Sequence, residues 1–460
     1  MSTTPTGPAV LHTAPPVRIG AEHPRGGVLG LLPELSRDAL GLLSRCARDY
    51  GDFVRMRLGP THIVLISHPA LVEELLTTRS HDFRKNLGSR RLGSALGNGL
   101  LVSEGDLWLR QRRLMQPAFH RQRIDGMAET MVATASKALE SWQAGDRRDI
   151  YREMMDLTLQ IAARTLIGTD ITEDMTCIRR SSRIMTDHLR SRLFSLMTLL
   201  PDRVPTPGNL RYAAAVRDLD TLVYRRIAGR RAGPSGGEDD LLGMLLAARD
   251  DAGRGMTDRQ LRDEVLTIMS AAYDTTALAL TWAWVLLAKH PAAESRLGAE
   301  IGTVPRGHAP GALDSSRLTY VEQIVTETLR LYPSAWAIGR EALRDTQIGG
   351  QSVRKGTTVL LSPYVLHRDP RLFDDPNAFR PERWAAGLLH RLPRFAYVPF
   401  GGGQRMCIGS GFAQLEITLL LATITQRFRI ELTDPTRPVE PVPVLTLQPR
   451  GGVPVTLSAR

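Results

Sequence analysis

The chain has 460 residues, with 59 Lys plus Arg against 48 Asp plus Glu for a formal net charge of +11, and 42% of it is hydrophobic. That is enough apolar material for a large core, and it argues against a disordered, collagenous or low-complexity protein. The cysteines, Cys46, Cys177 and Cys407, are far apart and odd in number, so a disulfide framework is not expected and a reducing cytoplasm fits.

Met1 to Gly27 is rich in Pro, Gly and Thr and lacks an apolar stretch of signal-peptide length, so residues 1–27 read as a disordered arm. Leu35 to Tyr50 has the spacing of a helix. Asp52 to Ser67 alternates around a Gly59-Pro60 turn, which predicts a hairpin. Pro69 to Thr77 returns to helix, and His81 to Leu101, rich in Gly, Ser and Arg, reads as a long functional loop. A helix is predicted from Asp106 to Pro117. Helical segments then run to about Leu200, where the proline-rich stretch from Pro201 to Gly208 breaks the pattern. Arg230 to Asp239 is a polar loop and Leu241 to Ala248 is helical.

Thr257-Asp258-Arg259-Gln260 forms a capping box that opens a very long helix ending near His290-Pro291. Its apolar run, Thr276 to Ala288, is shorter than the about 18 residues that a bilayer span needs, so no membrane span is expected. Another helix is predicted from Thr319 to Leu331. Strands are predicted at Val359 to Leu361 and at Val442 to Leu447, with Gly451-Gly452 as a turn. The chain therefore reads as mainly α with a minor β subdomain.

The basic balance first suggests nucleic acid, but no Lys/Arg block is interleaved with aromatics and no zinc-finger spacing occurs. Arginines suit two other tasks, bidentate binding of carboxylates and steering of an acidic protein partner.

The stretch Phe400-Gly401-Gly402-Gly403-Gln404-Arg405-Met406-Cys407-Ile408-Gly409 presents one thiol behind a glycine loop and before the apolar run Phe412 to Leu421. Glycines let backbone amides approach the sulfur, and the helix N-terminus adds partial positive charge, so this cysteine suits a thiolate ligand. No second Cys or His lies at metal-clip spacing. A macrocycle that brings its own nitrogens would complete the coordination.

The pattern Phe-Gly-x-Gly-x-Arg-x-Cys-x-Gly resembles the signature of the cytochrome P450 superfamily, of the soluble bacterial type, at every fixed position. The resemblance runs through most of the chain. It implies the fold of that family, one haem-thiolate domain over 28–460, and haem b between the long helix and the cysteine helix, with Cys407 as the iron ligand. Glu327-Thr328-Leu329-Arg330, with Arg383 in Phe379-Arg380-Pro381-Glu382-Arg383-Trp384, resembles the family's buried structural triad. Ala271-Ala272-Tyr273-Asp274-Thr275-Thr276 resembles its oxygen groove and acid-alcohol pair. Asp274 would relay protons and Thr275 would direct them during dioxygen activation. Ala272 stands where the family usually has glycine.

Trp108-Leu109-Arg110-Gln111-Arg112 resembles the family's Trp-x-x-x-Arg. Trp108, Arg112, Arg340 and Arg405 would hold the haem propionates, and Phe400, Gly409 and Ala271 would border the macrocycle. The activity implied is insertion of one atom of O2 into a hydrophobic small molecule. Terpenoids are favoured, then fatty acids or macrolide-like products. A peroxide-driven peroxygenase and a haem-binding sensor are the alternatives, against which Asp274 and Thr275 count. Electrons would come from a ferredoxin and its reductase, with Arg110, Arg113, Arg121 and Arg123 as candidate docking charges. A cytoplasmic monomer is expected. The implied pocket lining is Arg90 to Leu101, Leu193 to Pro207, Met269 to Tyr273, Ser334 to Ile338 and Val444 to Leu447, with Tyr273 and Trp336 limiting substrate size.

Overall fold

The structure, a computed structural model, describes residues 14–19, 30–193, 204–232, 240–304, 311 and 317–460. Most of the predicted arm, the break at 201–203 and the polar loop from 233 to 239 lie outside the described residues, as does most of the expected pocket segment Leu193 to Pro207. The chain forms two compact units, one from residues 1–84 and 326–406 and the other from 85–325 and 407–460.

The first unit is built on the hairpin. Phe53–Leu58 pairs antiparallel with Thr61–Ile66 in full register, Phe53 opposite Ile66 and Leu58 opposite Thr61. Thr61–Ile66 then pairs in parallel with Thr358–Leu361, which pairs antiparallel with Ile338–Ala342, and Phe83–Lys85 closes the sheet. The helix Leu32–Tyr50 starts three residues before its periodicity suggested, because Pro33 fits the first turn without a lost hydrogen bond. Phe53, Val64, Ile66, Leu71, Leu75, Val359 and Leu361 form the core of this unit.

The stretch His81 to Leu101 is more regular than the predicted loop. It holds a 3-10 turn at Ser80–Asp82, the edge strand, and short helices at Leu87–Arg91 and Gly93–Leu96. Asn86 caps the first helix with its own side chain, a local bond that makes so short a helix possible.

The second unit is helical around Asp258–Lys289, the long helix. The Thr257 and Gln260 capping box is formed, and the helix stops at His290 before Pro291. Ile150–Leu166 packs along it, and both are buried over most of their length. The cysteine helix, Ser410–Thr425, has buried side chains from Ile417 to Thr425 because other elements cover it on every side.

One strand expectation changes here, and one sheet was not expected. Val442 to Leu447 is a tight ribbon, Pro441–Pro443 against Leu447–Pro449, turned by Val444 N–H to Thr446 C=O. Prolines 441, 443 and 449 remove ladder donors, so the segment cannot extend as one interior strand. Phe428–Leu432 and Pro454–Ala459 form a sheet with Arg147–Asp149, a pairing of distant segments that local periodicity could not announce. Among the described residues no helix is long and apolar enough to cross a membrane.

Candidate active site

Cys407 sits between a 3-10 turn, Gly403–Arg405, and the start of the cysteine helix at Ser410. Gly403 explains why the loop needs glycine. Its φ is +64°, and a Cβ there would lie 2.0 Å from the Leu76 carbonyl oxygen. Every other residue type would be strained in conformation and blocked by backbone. The loop is thereby pressed onto the turn after Pro69.

Cys407 keeps an exposed face, whereas Cys46 is buried with its sulfur 3.6 Å from Met56 and Cys177 is half-buried. The density of surrounding protein pushes the free Cys407 thiol up. The Gly409 backbone N–H and the Arg112 guanidinium act in the opposite direction. A donor and a cation aimed at one sulfur are what a thiolate needs to persist as a metal ligand. Burial lowers Arg112, and the Cys407 charge opposes that. Trp108, buried, precedes Arg112 by four residues on the Gly105–Met115 helix, so both point to one side.

The long helix is buried at 261–268 and again at 276–287, but from Ser270 to Thr275 it has accessible surface, with Ala271 exposed. Thr275 Oγ donates to the Ala271 carbonyl at 2.8 Å. This back-bond loosens the local backbone ladder, as expected for a hydroxyl in a helix interior. Asp274 is pushed up to about 6 by burial, with Thr446 of the ribbon turn facing its carboxyl and acting the other way. Tyr151 also lies within its field. Tyr273 turns toward a cluster of Leu159, Ala163, Ile171 and Met175.

The remaining predicted haem contacts belong to the first unit. Arg340 lies on the strand Ile338–Ala342 and donates to the Gly339 carbonyl, Phe400 is half-buried, and Arg405 ends the 3-10 turn before the cysteine. In the same unit Glu327 accepts from Arg330 Nε at 2.8 Å, Arg330 Nη2 at 2.9 Å, Arg383 Nε at 2.9 Å, Trp384 Nε1 at 2.9 Å and Arg380 N at 2.9 Å. Arg330 also donates to the carbonyls of His367, Pro376 and Ala378. Five donors on one buried carboxylate make a structural knot with no free edge for a substrate. Trp384 was an unforeseen member of it.

Arg110 is a staple, bonded to Asp250 at 2.7 Å and to the carbonyls of Arg254 and Gly255. Its charge is therefore tied down and largely covered, while Arg113, Arg121 and Arg123 lie exposed, Arg121 with Asp125 at 3.7 Å. Glu416 was also missed. It is a buried acid in the apolar cysteine helix, pushed well up by burial, with the buried Thr276 hydroxyl of the long helix acting the other way. A lone acid within Phe412 to Leu421 was its only signal in the sequence.

Among the described residues no group of three or more His, Cys, Asp or Glu side chains could hold a metal ion. Cys407 can therefore act as a ligand only to a metal that arrives with most of its coordination filled, and an accessible thiol backed by Gly409 and Arg112 fits haem iron in that respect.

Comparison with known proteins gives the same answer. The family model described as cytochrome P450 matches residues 22–454. Cyclooctatin synthase of Streptomyces melanosporofaciens is 38% identical over 87% of this chain and 86% of its own length. Cyclooctat-9-en-7-ol 5-monooxygenase of the same organism is 36% identical over 86% and 84%. Pentalenene oxygenase of Streptomyces avermitilis is 35% identical over 94% and 96%. Among solved structures, retinoic acid bound cyanobacterial CYP120A1 superposes with a TM-score of 0.85 at 27% identity, covering 97% of this chain and 100% of that one. The chain belongs to the cytochrome P450 family, with haem as its cofactor and monooxygenation as its reaction class.

Proposed function

We propose that this enzyme hydroxylates a terpenoid with electrons from a separate ferredoxin and ferredoxin reductase, as a cytoplasmic monomer whose residues 28–460 act as one haem domain. The observation that carries the substrate class is the set of relatives at 35–38% identity, two named for cyclooctatin chemistry and one for pentalenene. The family match over 22–454 supports a single domain.

Bound haem supplies the activation of O2, with two electrons consumed, one oxygen atom inserted into the substrate and the other released as water. Cys407 would ligate the iron, with Gly409 N–H and Arg112 sustaining its negative charge. Trp108, Arg112, Arg340 and Arg405 would hold the propionates by charge-assisted hydrogen bonds, and Phe400 and Ala271 would border the ring. Asp274, poised at about 6, can gain and lose a proton near neutral pH, which suits a relay. The Thr275 hydroxyl, whose proton is held by the Ala271 carbonyl, keeps its oxygen lone pairs to accept a hydrogen bond on the accessible side. These two residues favour monooxygenation over a peroxide-driven or sensory role, neither of which needs a relay. Arg113, Arg121 and Arg123 remain as exposed cations for an acidic electron donor.

The deciding experiment is the absorption spectrum of the reduced, carbon-monoxide-bound protein, followed by titration of the ferric form with terpenes and fatty acids. A red-shifted Soret band that Cys407→Ser abolishes, and a spin-state change with terpenes, are expected. A band typical of a neutral ligand in fresh protein would overturn the ligand assignment. A response to fatty acids alone would overturn the substrate class.

A further inference from the structure

Upstream of the accessible stretch, the long helix carries two adjacent buried acids, Asp263 and Glu264, and a buried Thr267. The segment from Gly97 to Ser103 lies directly on them. Asn98 N–H donates to Asp263 Oδ2 at 2.8 Å, and Leu100 N–H donates to Glu264 Oε2 at 2.9 Å. A Cβ at Gly97, where φ is +60°, would fall 2.1 Å from an Asp263 carboxylate oxygen, and one at Gly99 would fall 2.0 Å from Thr267 Oγ. The approach is therefore backbone on helix, with no side chain between.

From behind, Lys85 Nζ donates to the carbonyls of Leu100 at 3.1 Å and Ser103 at 3.0 Å, and Gln111 Nε2 donates to Asn98 C=O at 2.9 Å. The arrangement is tight but not fully satisfied. Glu264 Oε1, Thr267 Oγ and Gln111 Oε1 are buried without a hydrogen-bond partner among the described residues, a state that low polarity makes costly.

Position gives this contact its meaning. Asp263, Thr267, Ala271 and Thr275 recur every four residues and share one face of the long helix. The segment covers the first two, and the third is exposed. Residues 97–103 are thus the border of the accessible face that carries Ala271 and Thr275.

We propose that Glu264 is a proton-controlled latch, holding residues 97–103 closed against the long helix while neutral and letting them lift away when ionised, so that access along the Ala271 and Thr275 face depends on pH. The consequence for access rests on the functional reading of that face, whereas the latch itself can be tested without it.

Burial is the largest influence on Glu264 and, with the charge of Asp263, pushes it up to about 7, while Leu100 N–H and the Lys85 ammonium act in the opposite direction. The other charged groups nearby are themselves paired. Arg262 binds Asp263 at 2.9 Å and also Asp220, and Glu104 accepts the Lys85 backbone N–H at 2.7 Å. When the segment lifts, water restores Glu264 toward an ordinary carboxylate of about 4.3. The open state then binds fewer protons between that value and about 7, so opening is favoured as pH rises through this window and levels off above it. Between pH 5.5 and pH 8 the opening constant should rise by about 30-fold.

The test is amide hydrogen exchange of the haem-loaded full chain across that range, corrected for intrinsic exchange, with Leu280 of the buried helix centre as reference. Protection of Asn98 and Leu100 should fall about 30-fold in the wild type while Leu280 shows no such slope. Glu264→Gln keeps an acceptor for Leu100 and should flatten the profile, and Asp263→Asn should leave the slope in place. A flat wild-type profile, or the same slope in Glu264→Gln, overturns the latch. So does a slope lost only in Asp263→Asn. Should Glu264→Gln not fold, Lys85→Gln decides instead. Loss of the ammonium must move the midpoint to higher pH, and an unmoved midpoint overturns the proposal.

Discussion

Removing the Glu327 carboxylate isolates one link between sequence and stability. Glu327 and Arg330 are both fully buried, and the carboxylate receives all five donors described above. Burial alone would raise its pKa, but the hydrogen bonds and charges of Arg330 and Arg383 outweigh it and hold the carboxyl below its ordinary value. In Glu327→Ala the Arg330 guanidinium keeps its three backbone acceptors but remains a buried cation without a counter-charge. Breaking a buried pair from one side costs about 3–5 kcal/mol, a large share of the roughly 5–15 kcal/mol that typical domains possess. Glu327→Gln keeps the shape and one acceptor, and should cost less than Glu327→Ala. Urea unfolding followed by far-ultraviolet circular dichroism, with the haem absorbance of the purified protein measured in parallel, checks this ranking. A loss below about 1 kcal/mol in Glu327→Ala, in the range of exposed ion pairs, would refute the reasoning that this knot is a main support of the first unit.

Thr275→Ala should leave haem binding intact and divert reducing equivalents to peroxide, so that product formed per electron consumed falls. Unchanged coupling would remove Thr275 from the relay. Asp274, raised by burial to about 6, makes the folded state bind a proton more readily than the unfolded chain. Wild-type stability relative to Asp274→Asn should therefore decline as pH rises from about 4 to about 6 and stay level above that. Urea midpoints of both proteins at pH 4.5 and pH 7 measure this, and a constant difference would show that Asp274 is not raised.

Periodicity and punctuation made the local architecture legible. The capping box Thr257 to Gln260, the alternation around Gly59-Pro60 and the helix before Pro333 all appear where the sequence places them, because each depends on neighbours within a few residues. The cysteine loop was legible for a related reason. Gly403 and Cys407 are constrained by backbone sterics and by sulfur chemistry that a ten-residue string already contains.

What tertiary structure decided was the company each side chain keeps. The sequence places Arg110 two residues before Arg112, yet one is tied to Asp250 and the charge of the other acts on the Cys407 thiol. Glu264 reads as one more acid in the first turns of a helix until Leu100, Lys85 and Asp263 close around it. The final sheet joins Arg147–Asp149 to Pro454–Ala459 at the other end of the sequence. Such pairings depend on which apolar faces bury together. Burial is a property of the whole chain, so the field that sets a carboxyl at about 6 or about 7 exists only once the fold has formed.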